Sequence, residues 1–213
     1  MKCFEERRLR AQKIYRVLGR LFPKAKIALR FSNNWELLVA VILSAQCTDK
    51  KVNEITPALF KKYPKFADYV RADPREFERF IRPAGFYRAK TKNILASAKM
   101  LKVKFHRKVP RTMKEILQFP GVARKTANVV LGNAYHVVEG IAVDTHVKRL
   151  SRKLGLTDFS DPNKIEQDLM ELLPKKAWFD FTYRIIEYGR QICIARKHDC
   201  FQHPLTKLYP KAA

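Results

Sequence analysis

Residues Leu117-Gln-Phe-Pro-Gly-Val-Ala-Arg-Lys-Thr-Ala-Asn-Val-Val130 decide the fold. A short helix, opened by the cap Thr112-x-x-Glu115 and running through Ile116 and Leu117, ends before a tight Pro120-Gly121 turn. A second helix begins near Ala123 and continues through Ala127, Val129, Val130 and Leu131. Such a turn aims backbone N–H groups and the positive end of a helix outward, which suits a phosphate. Cations are disfavoured at a helix N-terminus, so Arg124 and Lys125 in the first turn ask for an anionic ligand. Pro-Gly alone would equally describe an ordinary connection between helices.

Helical periodicity extends in both directions. Residues 5–22 place Leu9, Ile14, Tyr15, Val17, Leu18 and Leu21 on one broad stripe among basic residues. Asn33 followed by Glu36 is a capping box that opens the apolar run Leu37–Leu43, a buried central helix. Val52, Ile55, Leu59 and Phe60 recur at helical spacing, and Asp73-Pro74 starts a helix with Phe77, Phe80 and Ile81. A basic helix carrying Ile94, Leu95, Ala98 and Leu101 follows Gly85. Asp144 or Thr145 begins another, Asp161-Pro162 the next with Ile165, Leu169, Leu172 and Leu173, and Trp178–Ile192 is the last. No alternating strand pattern is sustained, so the chain is predicted to be all-α.

Charge narrows the partner. The 213 residues carry 44 Lys+Arg against 20 Asp+Glu, a formal +24, which calls for a polyanion. Residues 1–30 hold 10 basic and 2 acidic side chains and residues 86–125 hold 12 and 1, so most of the excess lies in two blocks. Solvated helix faces would be the plainer account of such runs. The longest apolar run, Leu37–Leu43, has seven residues, against roughly 20 for a membrane span. The charged start Met1–Arg8 has no signal-peptide core, and an intracellular, nucleoid-associated monomer is expected. Four cysteines, Cys3, Cys47, Cys193 and Cys200, are too few for a disulfide framework.

The stretch Phe119–Ala127 resembles the helix–hairpin–helix of the endonuclease III DNA glycosylases, and Ile141-Ala-Val-Asp-Thr-His146 resembles that family's loop with the catalytic aspartate. Glu36–Asp49 and Gly85–Ile94 match its pattern as well, in order, so the resemblance covers roughly residues 5–203. It implies two helical domains: a barrel of helices at 27–137 containing the hairpin, and a second domain of 1–26 plus 138–213. The active site would lie in a cleft between them, with Lys125 on one wall and Asp144 on the other.

By the same resemblance, Lys125 is the nucleophile that attacks the sugar of a damaged nucleotide and forms a Schiff base. Desolvation, the adjacent Arg124 and the helix end are expected to favour its neutral amine. Asp144 would stabilise the oxocarbenium-like sugar and move a proton, while also serving as a helix N-cap. His146 reads as structural. Gln46 and Phe86 fall where the family inserts side chains into the duplex, although Phe86 would also suit a core. Gly121, Ala123 and Arg124 complete the DNA-binding set.

Two departures stand out. Ala123 replaces a glycine common in the family's hairpin, and its methyl group is expected to weaken DNA binding. Many family members also end in Cys-x6-Cys-x2-Cys-x5-Cys, which holds an iron–sulfur cluster. Here Cys193 and Cys200 are followed by His203 and Tyr209, so a four-thiolate site is unavailable and 193–209 is a degenerate cluster loop. Cys193, Cys200 and His203 offer a partial metal site, with zinc conceivable and Cys3 a remote fourth ligand. The expectation is a loop packed without metal or other cofactor. The function implied is a base-excision-repair glycosylase and abasic-site lyase acting on oxidised pyrimidines in double-stranded DNA. A mismatch or adenine-specific glycosylase and a non-catalytic hairpin protein are the competing readings.

Overall fold

A computed structural model describes residues 2–209, the side chains of residues 2 and 3 excepted. In chain order its α-helices are α1 (Lys2–Leu21), α2 (Asn34–Leu43), α3 (Asp49–Lys62), α4 (Phe66–Arg71), α5 (Pro74–Ile81) and α6 (Tyr87–Lys104). They continue as α7 (Met113–Ile116), α8 (Arg124–Tyr135), α9 (Thr145–Lys153), α10 (Pro162–Leu172) and α11 (Trp178–Gln191). No strand occurs among the described residues, and no helix there is long and apolar enough to cross a membrane. The chain divides into two compact units, Ala28–Val137 and Met1–Ile27 with Val138–Ala213.

In the unit Ala28–Val137, α2 is the buried centre and packs against α3, α6 and α8. Eight of its ten residues are buried, which accounts for a helix apolar on every side. The Asn33 side chain accepts from the Glu36 N–H at 2.9 Å, and Glu36 accepts in return from the Ser32 N–H at 2.7 Å. The return bond thus reaches one residue beyond the cap, a variant of the expected box. Trp35 stacks edge-on against Phe66 and Tyr69 of α4, and Tyr63 and Phe77 extend this aromatic cluster. Asn53 of α3 donates to the Ala28 carbonyl and accepts from the Arg30 N–H, both at 2.9 Å, fixing the chain as it enters the unit.

The other unit builds its core from Ala11, Ile14 and Leu18 of α1, Val147 and Leu150 of α9, Ile165 and Leu169 of α10, and Phe181, Ile185 and Tyr188 of α11. Full burial of each valine, leucine, isoleucine or phenylalanine among them is worth about 1.5–3 kcal/mol. The apolar stripe of α1 is narrower than its composition implies. Leu9 and Leu21 are exposed, whereas Ala11, Ile14 and Leu18 are fully buried and Tyr15 and Val17 pack partly buried against the same core.

Candidate functional site

The hairpin takes its shape from one glycine. Val122 N–H closes the turn on the Phe119 carbonyl at 3.1 Å, and Phe119 and Val122 are buried beneath it. Gly121 has φ +75°, where an L side chain is strained, and a Cβ there would meet Asn93 Nδ2 of α6 at 2.3 Å. Ala123 is different. As the N-cap of α8 it sits at φ −92°, ψ 174°, extended backbone that alanine adopts freely. Its methyl group therefore does not distort the turn, and any effect on DNA binding must come from contact with the ligand. Alanine offers no side-chain acceptor, so the first turn of α8 has no side-chain cap.

Arg124 and Lys125 occupy that first turn, Arg124 half-buried and Lys125 exposed. The folded chain alone does not desolvate the Lys125 amine.

Gln46 and Phe86 share an unexpected trait. Both are exposed and both have left-handed backbone, at φ 51° and 47°. Phe86 is 65% exposed, which removes it from the core. Neither residue has glycine's freedom, so each holds a conformation that costs about 1–3 kcal/mol and persists because its surroundings hold it there. Beside Phe86, Lys90 lies buried one turn into α6. Its ammonium donates to the Ala84 carbonyl at 2.8 Å and so ties the 3-10 turn Arg82–Ala84 to the helix. Gln46 follows α2, Phe86 precedes α6 and Lys125 opens α8, all within the unit Ala28–Val137, where α2 packs against both α6 and α8. None of these residues lines the cavity of about 910 Å³ between Trp35, Tyr63, Phe105 and Arg111.

Asp144 belongs to the other unit. It is the N-cap of α9, and its Oδ1 accepts from the Val147 N–H at 2.8 Å, leaving Oδ2 for a second partner. His146, two residues on, lies so close to α11 that a Cβ on Gly189 would meet its Nδ1 at 2.7 Å. At its far end α9 reaches the cysteine loop. Arg149 Nη1 lies 3.5 Å from Cys193 Sγ, Arg149 Nη2 donates to the Cys193 carbonyl, and Lys153 Nζ lies 2.9 Å from Cys200 Sγ.

That loop corrects the expectation of a metal-free, cofactor-free segment. Ligand atoms of Cys193, His198, Cys200 and His203 all lie within 4.8 Å of one another, so four donors converge where a degenerate loop was expected. His198 is the ligand that sequence reasoning missed. It stands two residues before Cys200, outside the family's cysteine spacing, and only the fold of the loop brings it in. Both thiols are free and buried. Burial pushes the Cys193 thiol up, against the opposing Arg149, and pushes the His203 imidazole down. Tyr209, at the place of the fourth family cysteine, instead stacks under the Arg10 guanidinium at 4.0 Å. Cys3, the remote fourth candidate, lies outside the residues whose side chains are described.

A family model for the HhH-GPD superfamily of base excision DNA repair proteins matches residues 39–175. Endonuclease III of Synechocystis sp. is 47% identical over 212 residues, covering 100% of this chain and 97% of that protein. The chain belongs to the endonuclease III family. Among solved family structures, a non-covalent endonuclease III–DNA complex matches with a TM-score of 0.91 at 40% identity, covering 96% of each chain. A trapped endonuclease III–DNA covalent intermediate matches with a TM-score of 0.89 at 41% identity, covering 95% of this chain and 96% of that one.

Proposed function

We propose that this endonuclease III family chain is a base-excision-repair DNA glycosylase and abasic-site lyase that removes oxidised pyrimidines from double-stranded DNA. The observation that carries the reading is Lys125 in the first turn of α8, at the hairpin, in a chain matched over nearly its whole length by a relative trapped covalently on DNA.

Extruding a base leaves a gap in the stack, and the exposed Gln46 and Phe86 are side chains suited to fill it. Gly121, Ala123 and Arg124 present the hairpin to a phosphate. The Lys125 amine then bonds to the anomeric carbon as the glycosidic bond breaks, and the base leaves with that electron pair and takes up a proton. The new secondary ammonium gives a proton to Asp144 or a water. The nitrogen lone pair then forms the C=N bond as the C1′–O4′ bond breaks, and O4′ leaves with that electron pair and takes up a proton, giving a protonated imine. Loss of a proton from C2′ expels the 3′ phosphate with the C3′–O electron pair, which nicks the strand. Water hydrolyses the imine and restores Lys125. Asp144 supports the cationic sugar through its charge and is held in place by capping α9.

Borohydride should reduce the imine and trap a covalent enzyme–DNA adduct on a duplex containing an oxidised pyrimidine. Lys125→Ala should abolish both trapping and nicking. Full nicking by Lys125→Ala, with no adduct from the unmodified enzyme, would overturn the assignment.

A further inference from the structure

The four-thiolate cluster implied by the family does not fit this loop. Two of the four converging donors are imidazoles, and Cys47 is not among the described groups that converge. Distance argues the same way. The outer ligands of a multi-iron cluster bind different irons and are held apart by the cluster's own edge. Here every ligand atom lies within 4.8 Å of the other three, which leaves room for a single ion.

We infer that Cys193, His198, Cys200 and His203 hold one tetrahedral zinc ion in place of the family's iron–sulfur cluster. Zinc binds sulfur at about 2.3 Å and imidazole nitrogen at about 2.0–2.1 Å, so neighbouring ligand atoms of a tetrahedral site stand roughly 3.3–3.8 Å apart. The pair His198 Nε2 and Cys200 Sγ is already at 3.3 Å.

The ring nitrogens are prepared for this role in different ways. The His198 Nδ1–H donates to the Arg196 carbonyl at 2.6 Å, which places the lone pair on Nε2, beside Cys200. This backbone-anchored arrangement is the usual support of a metal-bound histidine. Nδ1 of His203 is buried without a hydrogen-bond partner, and a polar atom in that state calls for a ligand. The two rings stack at 5.1 Å, so the segment between them is already folded back on itself.

Charge and softness complete the case. Two thiolates balance a divalent ion, and Arg149 and Lys153 stand beside the two sulfurs. A two-sulfur, two-nitrogen tetrahedron is a donor set that zinc favours. The chain keeps its ligands within the eleven residues from Cys193 to His203, spaced Cys-x4-His-x-Cys-x2-His.

The test is metal analysis of the full-length chain produced in medium supplied with both iron and zinc. About one zinc per chain, without acid-labile sulfide or a broad visible band, is expected. Replacing the zinc with cobalt should give the intense visible bands of a tetrahedral thiolate site. His198→Ala should weaken zinc binding at least about 100-fold in competition with a chromogenic chelator, beyond the range that loss of a supporting residue produces. His198→Cys should keep the zinc and add thiolate charge-transfer intensity to the cobalt spectrum, which answers any failure of the alanine variant to fold. Cys47→Ser should keep the metal unchanged. Iron with labile sulfide, a metal-free protein that ignores added zinc, or undiminished zinc affinity in folded His198→Ala would each overturn the inference.

Discussion

Burying the ammonium of Lys90 costs solvation that its hydrogen bond to the Ala84 carbonyl, at 2.8 Å, returns only in part. Desolvation accordingly lowers its pKa from 10.5, with Cys47 opposing the shift. The sign follows from proton counts. Between the lowered value and 10.5 the unfolded chain binds more protons than the folded one, so stability from this group rises with pH across that window. Below the window the cost is fully present, and above it the cost is relieved. Urea denaturation of the native protein and Lys90→Met, run at about pH 8 and about pH 10, should show the difference in unfolding free energy moving in the native protein's favour at the higher pH. A pH-independent difference would mean that the Lys90 amine is hydrated. The same residue fixes the turn that presents Phe86, so its charge is used for local architecture and not for the DNA-facing surface.

Helix α9 carries a candidate catalytic carboxylate at one end and grips the cysteine loop at the other. Capping and chemistry can be separated at Asp144, because asparagine caps as well as aspartate but has no charge. Asp144→Asn should therefore keep stability within about 0.5 kcal/mol while Asp144→Ala loses about 1 kcal/mol. Both should lower glycosylase turnover by about 10²–10⁴-fold. Native turnover in Asp144→Asn would remove the carboxylate from the reaction. Caps of this kind were the most legible part of the sequence. Asn33, Thr112, Asp144 and Asp161 all accept the N–H bonds their spacing predicts, because a cap depends on three or four neighbouring residues. The short helix α4 carries no such signal, since its cap Lys65 has no side-chain acceptor. The burial of Lys90, the exposure of Phe86 and the convergence of His198 on two cysteines were not legible either. Each is set by packing or by the path of a loop, which periodicity and charge do not encode.

At the scale of the whole molecule, the formal +24 is the property most exposed to experiment. Lys90 leaves eleven of the 12 basic residues of 86–125 to supply the basic surface of that block. Each neutralised phosphate contributes about −0.9 to the slope of log affinity against log salt, so six contacts would give a slope of about −5. Fluorescence anisotropy with an undamaged duplex should show that steep fall, and a flat titration would refute the electrostatic account. The division of the chain has another consequence, for synthesis. Unit Ala28–Val137 is continuous and can close on itself as it emerges, but α1 belongs with α10 and α11. About 140 residues separate the end of α1 at Leu21 from Pro162, which at ribosomal speed is a wait of roughly 7–28 s. Throughout that interval Ala11, Ile14 and Leu18 lack the α10 and α11 side chains that cover them in the folded unit, and the 10 basic against 2 acidic residues of 1–30 give the segment a net charge that favours solubility.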